Sequence, residues 1–280
     1  MKNIKRIGIT LIVLLILIVF SYQQNNSVQT NTTTITSQKI PPSMNGLRIL
    51  HLSDLHNKTY GQNQGKLVSK VKMAQPDLIV FTGDMIHNDA TEENGLHLMK
   101  QLIKIAPVYF VMGNHEGYRS DFNQLEDKLV QLGVTVLRNE SVTIQNEIQL
   151  IGIDDPTASV DLYTEDTQIV DQELQKAIQK GDNSKGYKIL LSHRPELLYV
   201  YAKHNIDLVL SGHAHGGQVR LPFVGGIIAP NQGFFPEFDA GEFRQDHTTL
   251  IVNRGLGNSI IPQRLFNLPE IILIELKSTN

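Results

Sequence analysis

Seven polar residues of types that bind metal ions follow short apolar runs along this chain of 280 residues. They are carboxylates, imidazoles and one amide: Asp54, His56, Asp84, Asn114, His193, His213 and His215. Oxygen and nitrogen ligands without thiolate favour divalent Mn, Fe or Zn. Seven ligands are too many for one tetrahedral ion and suit two ions that share a carboxylate. Because two such ions clamp a phosphoryl group and activate water, the pattern predicts hydrolysis of a phosphate ester.

Two pairs of these residues are separated by a single residue. In an extended strand, residues i and i+2 point to the same side. We therefore expect each pair, Asp54 with His56 and His213 with His215, to offer two metal ligands on one side of the chain. A glycine precedes Asp84, Asn114 and His213, where it allows a tight turn and close backbone approach.

The elements that must position these residues form two sets of predicted strands. The first set, separated by segments with helical spacing, covers residues 47–53, 77–83, 108–113, 188–192 and 207–212. A second set, with few intervening helices, covers 134–137, 148–153, 249–254 and 271–276, and could form a second sheet packed on the first. Alternating strands and helices indicate an α/β core. The metal-binding residue types follow the strands of the first set, at the edge where ligands bind in an open α/β sheet.

In chain order the motifs are D-x-H, G-D, G-N-H-E, H and G-H-x-H, and this set resembles the calcineurin-like metallophosphoesterase family. The resemblance implies a four-layer α-β-β-α sandwich of two mixed sheets flanked by helices. It further implies that Asp54, His56 and His215 hold one divalent metal ion (Mn, Zn or Fe), that Asn114, His193 and His213 hold a second, and that Asp84 bridges both. His115 would be the catalytic group that contacts the phosphate or protonates the leaving oxygen.

The later motifs "GHAHGGQVRLP" and "SHRPE" look like the bacterial membrane-anchored or exported phosphodiesterase branch of that family. Some relatives there act on lipid-linked nucleotide-sugar diphosphates or on cell-envelope material. The arginines that accompany G-D and G-N-H-E in phosphoprotein phosphatases are replaced here by "GDMIHND" and Met112, which favours a phosphodiester over a monoester dianion. Two alternatives stay open: a phosphomonoesterase or nuclease using the same site, and a non-catalytic envelope scaffold.

Three further residues are candidates for substrate contact. His87 lies three residues past Asp84, and Arg194 and Arg254 each follow a strand-like run. The segment 221–238 is apolar and rich in glycine and proline, which fits either a packed loop or an apolar wall beside the site.

The N-terminal residues 1–22 combine Lys2, Lys5 and Arg6 with an uncharged apolar run from Ile7 to Tyr22. This pattern fits a membrane anchor or a signal segment, and a buried core helix fits it less well. The basic flank predicts a single-pass protein in the cell membrane, with its N-terminus inside and its catalytic domain extracytoplasmic; the alternative is secretion after signal cleavage. Residues 23–46 are expected to be a flexible polar linker, and 47–280 the catalytic domain.

The net charge and the composition limit the classes of molecule that are expected to bind this protein. A formal net charge of -3 gives no basic footprint for nucleic acid, so none is expected as a partner. The expected partners are a phosphate-ester substrate and the membrane, and the sequence indicates no obligate protein partner. The chain has no cysteine, which fits either side of a membrane.

Overall fold

The computed structural model describes residues 2–87, 91–159, 164–181, 186–259 and 261–279. Within them the helices are α1 (Lys2–Asn26), α2 (Gly65–Ala74), α3 (Glu93–Leu102), α4 (Asn114–Gly117), α5 (Phe122–Gln131), α6 (Asp166–Gln179) and α7 (Leu198–Lys203). Helices α2, α3, α5 and α6 each bury one face and expose the other, the pattern that their spacing of apolar residues predicts.

The first large sheet has the strand order β1-β16-β2-β3-β4-β5. Its strands are β1 (Gln29–Ser37), β2 (Arg48–Leu52), β3 (Leu78–Thr82), β4 (Val108–Val111), β5 (Thr135–Val136) and β16 (Glu270–Ser278). Neighbours are parallel except β16 and β2, which pair antiparallel. The sheet is therefore mixed.

The second large sheet has the order β14-β15-β9-β8-β7-β6. Its strands are β6 (Glu140–Ile144), β7 (Ile148–Gly152), β8 (Tyr187–Leu191), β9 (Leu208–Ser211), β14 (Gly241–Gln245) and β15 (Thr248–Val252). The four central strands are parallel and the two edge strands antiparallel. Between β9 and β14 lie two small hairpins, β10 (Arg220–Leu221) with β11 (Gly225–Gly226), and β12 (Ile228–Ala229) with β13 (Gly233–Phe234).

Three apolar cores join these elements into four layers. The middle core lies between the two sheets, with Ile49 and Val80 from the first sheet and Leu210 from the second. The first sheet packs its other face on α2, α3 and α5, and the second packs its other face on α6 and α7. Strands buried on both faces read as continuous apolar runs, which is why both sets were recognisable in the sequence. The structure confirms the predicted α-β-β-α sandwich of two mixed sheets.

The division of the strands between the sheets differs from the prediction. The first predicted set splits, because β2, β3 and β4 lie in one sheet while β8 and β9 lie in the other. The second set splits in the same way. Apolar runs identify a strand but carry little information about its neighbours, since pairing depends on contacts distant in sequence. The metal-binding residue types therefore come from the ends of strands in two sheets, and not from one.

The prediction of a flexible linker over residues 23–46 is wrong for most of that segment. Helix α1 continues to Asn26, and Gln29–Ser37 pairs in parallel with β16 along its full length. Ile35, Ile40 and Met44 are buried in the core between the sheets. The segment lacks apolar periodicity, but its threonines are β-branched and suit an edge strand, so a polar composition did not mean disorder here.

Helix α1 is exposed from Asn3 to Val19, apart from the half-buried Gly8, and its last two turns contact the domain. Residues Asn3–Asn26 are long and apolar enough to span a membrane, and none of the apolar stretch is buried in the protein. At a rise of ~1.5 Å per residue, its length covers a ~30 Å hydrocarbon core. The helix is therefore suited to a bilayer and is not a core helix of the domain.

Candidate metal centre

The polar side chains that follow β2, β3, β4, β8 and β9 meet at one end of the two sheets. One group of ligand atoms, all within 4.8 Å of one another, comes from Asp54, His56, Asp84 and His215. A second group, from Asp84, His193 and His213, meets the same distance limit. The two groups share the carboxylate of Asp84.

Both groups converge on Oδ2 of Asp84. This oxygen lies 3.5 Å from Nε2 of His56 and 3.2 Å from Nε2 of His193. The other oxygen, Oδ1, accepts a hydrogen bond of 2.9 Å from the backbone N–H of His115. One carboxylate that faces imidazole nitrogens on two sides is suited to bridging two cations.

The remaining donor atoms complete the two groups. In the first, Nε2 of His56 and Nε2 of His215 are 3.1 Å apart, and Nε2 of His215 lies 3.3 Å from Asp54 Oδ1. In the second, the amide oxygen of Asn114 lies 3.2 Å from Nε2 of His193. All seven predicted ligand residues thus point their donor atoms into a common space.

The backbone conformation of the two residue pairs differs from the prediction. Strands β2 and β9 end at Leu52 and Ser211, before either pair begins. Asp54 (φ 52°) and His56 (φ 47°) occupy the left-handed region, as do His213 (φ 67°) and His215 (φ 49°). The pairs are therefore not extended, and turns in place of strand alternation aim the side chains. Left-handed backbone is costly for residues with a Cβ, and such strain concentrates at functional sites.

Hydrogen bonds behind two of the imidazoles determine which ring nitrogen faces the centre. Nδ1 of His193 donates to the carbonyl oxygen of Thr82 at 2.7 Å, so Nε2 is the ring nitrogen that faces the centre. His213 is reversed: Nε2 donates to Oδ1 of Asn231 at 2.8 Å, and Nδ1 faces His193 Nε2 at 3.1 Å. Such outer contacts orient ligating histidines. Asn231 was not recognised in the sequence, where it lies in a glycine- and proline-rich segment without a motif.

Glu116 supports the loops that carry the central ligands. Its buried carboxylate accepts hydrogen bonds from the backbone N–H groups of Asp84 (2.7 Å), Gly113 (2.9 Å) and Ile86 (3.1 Å). The carboxylate therefore ties the turn after β3 to the turn after β4. Burial, and the nearby charge of Asp84, raise the pKa of Glu116 to about 7.

Burial and neighbouring charges shift the pKa values of the ligand residues. Burial lowers the pKa of His56 and of His213 to about 3, so both imidazoles are neutral at pH 7 and keep a lone pair to donate. Burial raises the pKa of Asp54 to about 7. Burial also opposes ionisation of Asp84 and His193, but their mutual attraction outweighs it, lowering the pKa of Asp84 and raising that of His193 to about 10. The carboxylate of Asp84 therefore stabilises positive charge here, and the donor set is compatible with a dinuclear centre of divalent metal ions.

Comparison with known proteins agrees with this geometry. The sequence profile of the calcineurin-like phosphoesterase family matches residues 47–217. The Bacillus subtilis metallophosphoesterase YkuE is 30% identical over 268 residues, a match that covers 92% of this chain and 89% of YkuE.

The chain belongs to the calcineurin-like phosphoesterase family. A bovine transmembrane protein with a metallophosphoesterase domain is 32% identical over 88% of this chain and 56% of its own length. The crystal structure of TT1561 from Thermus thermophilus superposes with a TM-score of 0.53 at 12% identity, covering 75% of this chain and 90% of TT1561, and so shares the fold. The resemblance drawn from the five motifs is confirmed at the level of the family.

Two further histidines of this phosphoesterase lie beside the ligand groups. The ring of His115 is 4.7 Å from that of His56, in an edge-to-face arrangement, and 4.7 Å from that of His87. Its side chain is 21% exposed, and Nε2 lies 3.9 Å from Asp84 Oδ2. His87 is exposed. Both rings therefore lie between the buried donor atoms and solvent.

The two arginines that were candidates for substrate contact, Arg194 and Arg254, lie beside carboxylates of the protein. The buried guanidinium of Arg194 donates to both carboxylate oxygens of Asp155, at 2.7 and 3.0 Å, so the carboxylate already occupies its bidentate face. Nε of Arg254 lies 3.9 Å from a carboxylate oxygen of Glu270 at the start of β16. The guanidinium of Arg194 is therefore held by a carboxylate of the protein, and its charge adds to burial in lowering the pKa of His213.

Proposed function

We propose that this chain is a dinuclear-metal phosphodiesterase that hydrolyses a cell-envelope phosphodiester, nucleotide- or lipid-linked, at the outer side of a membrane. The observation that carries the proposal is the pair of donor groups meeting at Asp84 Oδ2. In this proposal Asp54, His56 and His215 hold one ion, Asn114, His193 and His213 hold the other, and Asp84 bridges them. When bound, the two divalent ions (Mn, Zn or Fe) neutralise charge on the phosphoryl oxygens and activate a water molecule as nucleophile.

The protein residues would orient the reaction. His56 and His213 are neutral and keep a lone pair, Asp84 is ionised, and Glu116 and Asn231 hold the backbone of Asp84 and the ring of His213. His115 is partly exposed beside Asp84, where its imidazole can donate a hydrogen bond to a phosphoryl oxygen or a proton to the leaving oxygen. His87 lies against His115 on the solvent side and would contact the ester group beyond it.

The charged groups beside the ligand residues favour a phosphodiester substrate over a phosphomonoester. A monoester dianion gains most from bidentate guanidinium contacts, but Arg194 is held by Asp155. The imidazoles of His115 and His87 lie between the donor atoms and solvent. A phosphodiester carries one charge less and needs fewer cations.

The proposed location of the protein rests on helix α1. An exposed apolar helix of this length, with Lys5 and Arg6 before its apolar run, supports a single-pass anchor with the catalytic domain outside. The absence of cysteine from the sequence allows a direct test: Thr279→Cys would be the one thiol in the protein. We expect an impermeant maleimide to label it in intact cells. Labelling only after lysis would show that the catalytic domain lies on the inner side of the membrane.

The activity is tested with the full chain, stripped of metal and resupplied with Mn, Zn, Fe or Mg. We expect cleavage of an aryl phosphodiester to return with metal and to exceed cleavage of the matching aryl monoester. Faster monoester cleavage would favour a phosphomonoesterase. Binding of two ions without cleavage of either ester would mean that the protein is a non-catalytic scaffold or that it accepts only a narrow range of substrates.

A further inference from the structure

The last two turns of α1 are fixed to the catalytic domain close to the metal centre. The ring of Phe20 lies 5.7 Å from that of Phe266, and Ser21 Oγ donates to Gln263 at 2.7 Å. The backbone N–H of Arg264 donates to the side chain of Asn25 at 2.8 Å. Phe20 belongs to the apolar run proposed to span the membrane, so Phe266 must lie at the level of the bilayer surface.

Phe266 is one of several exposed phenylalanines in this part of the chain. Phe223, Phe234 and Phe235 are 110%, 73% and 66% exposed, and Phe266 is 54% exposed. Soluble surfaces seldom display several large aromatic rings together. Phe223, Phe235 and Phe266 also have φ values of 67°, 55° and 52°, in the left-handed region that bulky residues rarely adopt. Backbone strain that presents an apolar ring to solvent indicates a function for the ring.

The exposed rings belong to segments that contact one another. Phe223 lies at the tip of the β10–β11 hairpin, whose Arg220 N–H donates to the carbonyl oxygen of Leu265 at 2.9 Å. Phe234 and Phe235 lie at the end of the β12–β13 hairpin. Ile228, Ala229 and Pro230 of that hairpin line an apolar cavity of about 180 Å³ together with Ser259 and Ile261. Both hairpins therefore lie beside the segment that holds α1.

Basic and tyrosine side chains flank the end of α1. A cavity of about 350 Å³ lies between the helix end and α2, and its lining includes Tyr22, Lys66 and Lys70. Tyrosine and lysine at the end of an apolar span are the residues that anchor at lipid headgroups. This cavity supports a bilayer, and not a second protein, as the neighbour of this surface.

We propose that the catalytic domain itself rests on the bilayer that holds α1, through an aromatic surface formed by Phe223, Phe234, Phe235 and Phe266. The proposal rests on the membrane anchoring proposed above. The same segments reach the metal centre, since Asn231 in the β12–β13 hairpin bonds His213 and Asn267 donates to the carbonyl oxygen of His215 at 2.7 Å. The surface therefore holds the mouth of the site at the membrane interface.

Tryptophan fluorescence tests the surface without relying on activity. The sequence has no tryptophan, so Phe223→Trp, Phe234→Trp and Phe235→Trp each introduce a single fluorophore. The full chain is reconstituted in phosphatidylcholine vesicles with and without brominated acyl chains. Phe20→Trp reports insertion of α1. Val130→Trp is the matched exposed control, because Val130 is 56% exposed on α5, beside the opposite edge of the first sheet from β1.

We expect brominated lipid to quench the emission of all three surface variants, at least about half as strongly as that of Phe20→Trp, and we expect their emission to be blue-shifted. The emission of Val130→Trp should stay unquenched. Quenching of Phe20→Trp alone would overturn the aromatic surface while leaving the anchor intact. A blue shift in the surface variants without quenching would also overturn it, because the rings would then be buried against protein. If the emission of Phe20→Trp itself is not quenched, α1 is not inserted, and both the anchor and the surface that depends on it are wrong.

Discussion

The buried carboxylate of Glu116 accepts a hydrogen bond of 2.7 Å from the backbone N–H of Asp84, the residue on which both donor groups converge. The same oxygen accepts from Gly113, and the other from Ile86. A glutamine offers one acceptor oxygen in place of two, and its NH₂ group would face at least one backbone N–H.

Glu116→Gln should therefore weaken both the fold and the metal centre. We expect a loss of about 1–3 kcal/mol in the free energy of unfolding, measured by urea denaturation, and at least about 10-fold weaker metal binding by titration. Glu126→Gln is the matched control, because Glu126 pairs with Arg138 at a partly exposed position and should change stability by less than about 1 kcal/mol. Unchanged metal affinity in Glu116→Gln would show that Glu116 does not position Asp84.

Gly83 must lack a side chain for the two central turns to approach. A Cβ there would overlap the backbone nitrogen of Gly113 and lie 2.9 Å from His193 Nδ1. Gly46 has nearly the same φ, 88° against 86°, but nothing lies within 4 Å of its added Cβ. Gly46→Ala should cost about 1–2 kcal/mol for the left-handed backbone alone. Gly83→Ala should cost clearly more and abolish metal binding. Equal losses in urea denaturation would mean that close packing at Gly83 is unimportant.

Asp155 and Arg194 form a buried pair that we expect to be structural. Asp155→Asn leaves the buried guanidinium with only its longer contacts to Asp166 (3.4 Å) and Glu196 (3.7 Å), and should cost about 3 kcal/mol in unfolding free energy. Adding Arg194→Met removes this poorly paired charge and should restore part of the loss. A double variant less stable than Asp155→Asn would contradict this account.

The same pair predicts a pH dependence. Burial opposes ionisation of Asp155, but Arg194 outweighs burial and lowers its pKa. The stabilisation is therefore complete above the ordinary aspartate pKa of about 4 and is lost as pH falls below it. The stability difference between wild type and Asp155→Asn should be constant near neutral pH and shrink below about pH 4. A difference that instead grows in acid would show that the pKa of Asp155 is raised.

The segment before β2 belongs to the folded domain, and Ile40 tests this directly. Ile40 is fully buried in the core between the sheets. Ile40→Ala should therefore cost about 2–5 kcal/mol. Thr34→Ala, on the exposed side of β1, should stay within about 0.5 kcal/mol. If both substitutions are neutral in thermal unfolding, the segment is the flexible linker that its composition suggests.

The sequence was sufficient to predict that seven residues of metal-binding types would lie together, and the family resemblance implied the layers of the fold. Apolar runs identified β2, β3, β4, β8 and β9 to within two residues, and polar groups that follow such strands must meet at one end of the core. The split of these strands between two sheets was missed because pairing is decided by distant contacts.

Other features had no local signal. The left-handed backbone at Asp54 and His213 is imposed by packing around the site, while the residue types alone suggested extended strands. Asn231 lies in an irregular segment, and its bond to His213 exists only in the folded chain. The β1 strand was missed because its threonines read as a polar linker, and only pairing with β16 gives it structure.

The most direct test of the dinuclear centre is the metal content and turnover of Asp84→Asn beside wild type, with Asp207→Asn as control. Asp207 is a buried carboxylate just before β9, at the end of that strand opposite His213. We expect two ions per chain in wild type and in the control. Asp84→Asn should bind fewer ions and lose at least about 100-fold in phosphodiester turnover. Full metal content together with full turnover in Asp84→Asn would contradict a centre bridged by this carboxylate.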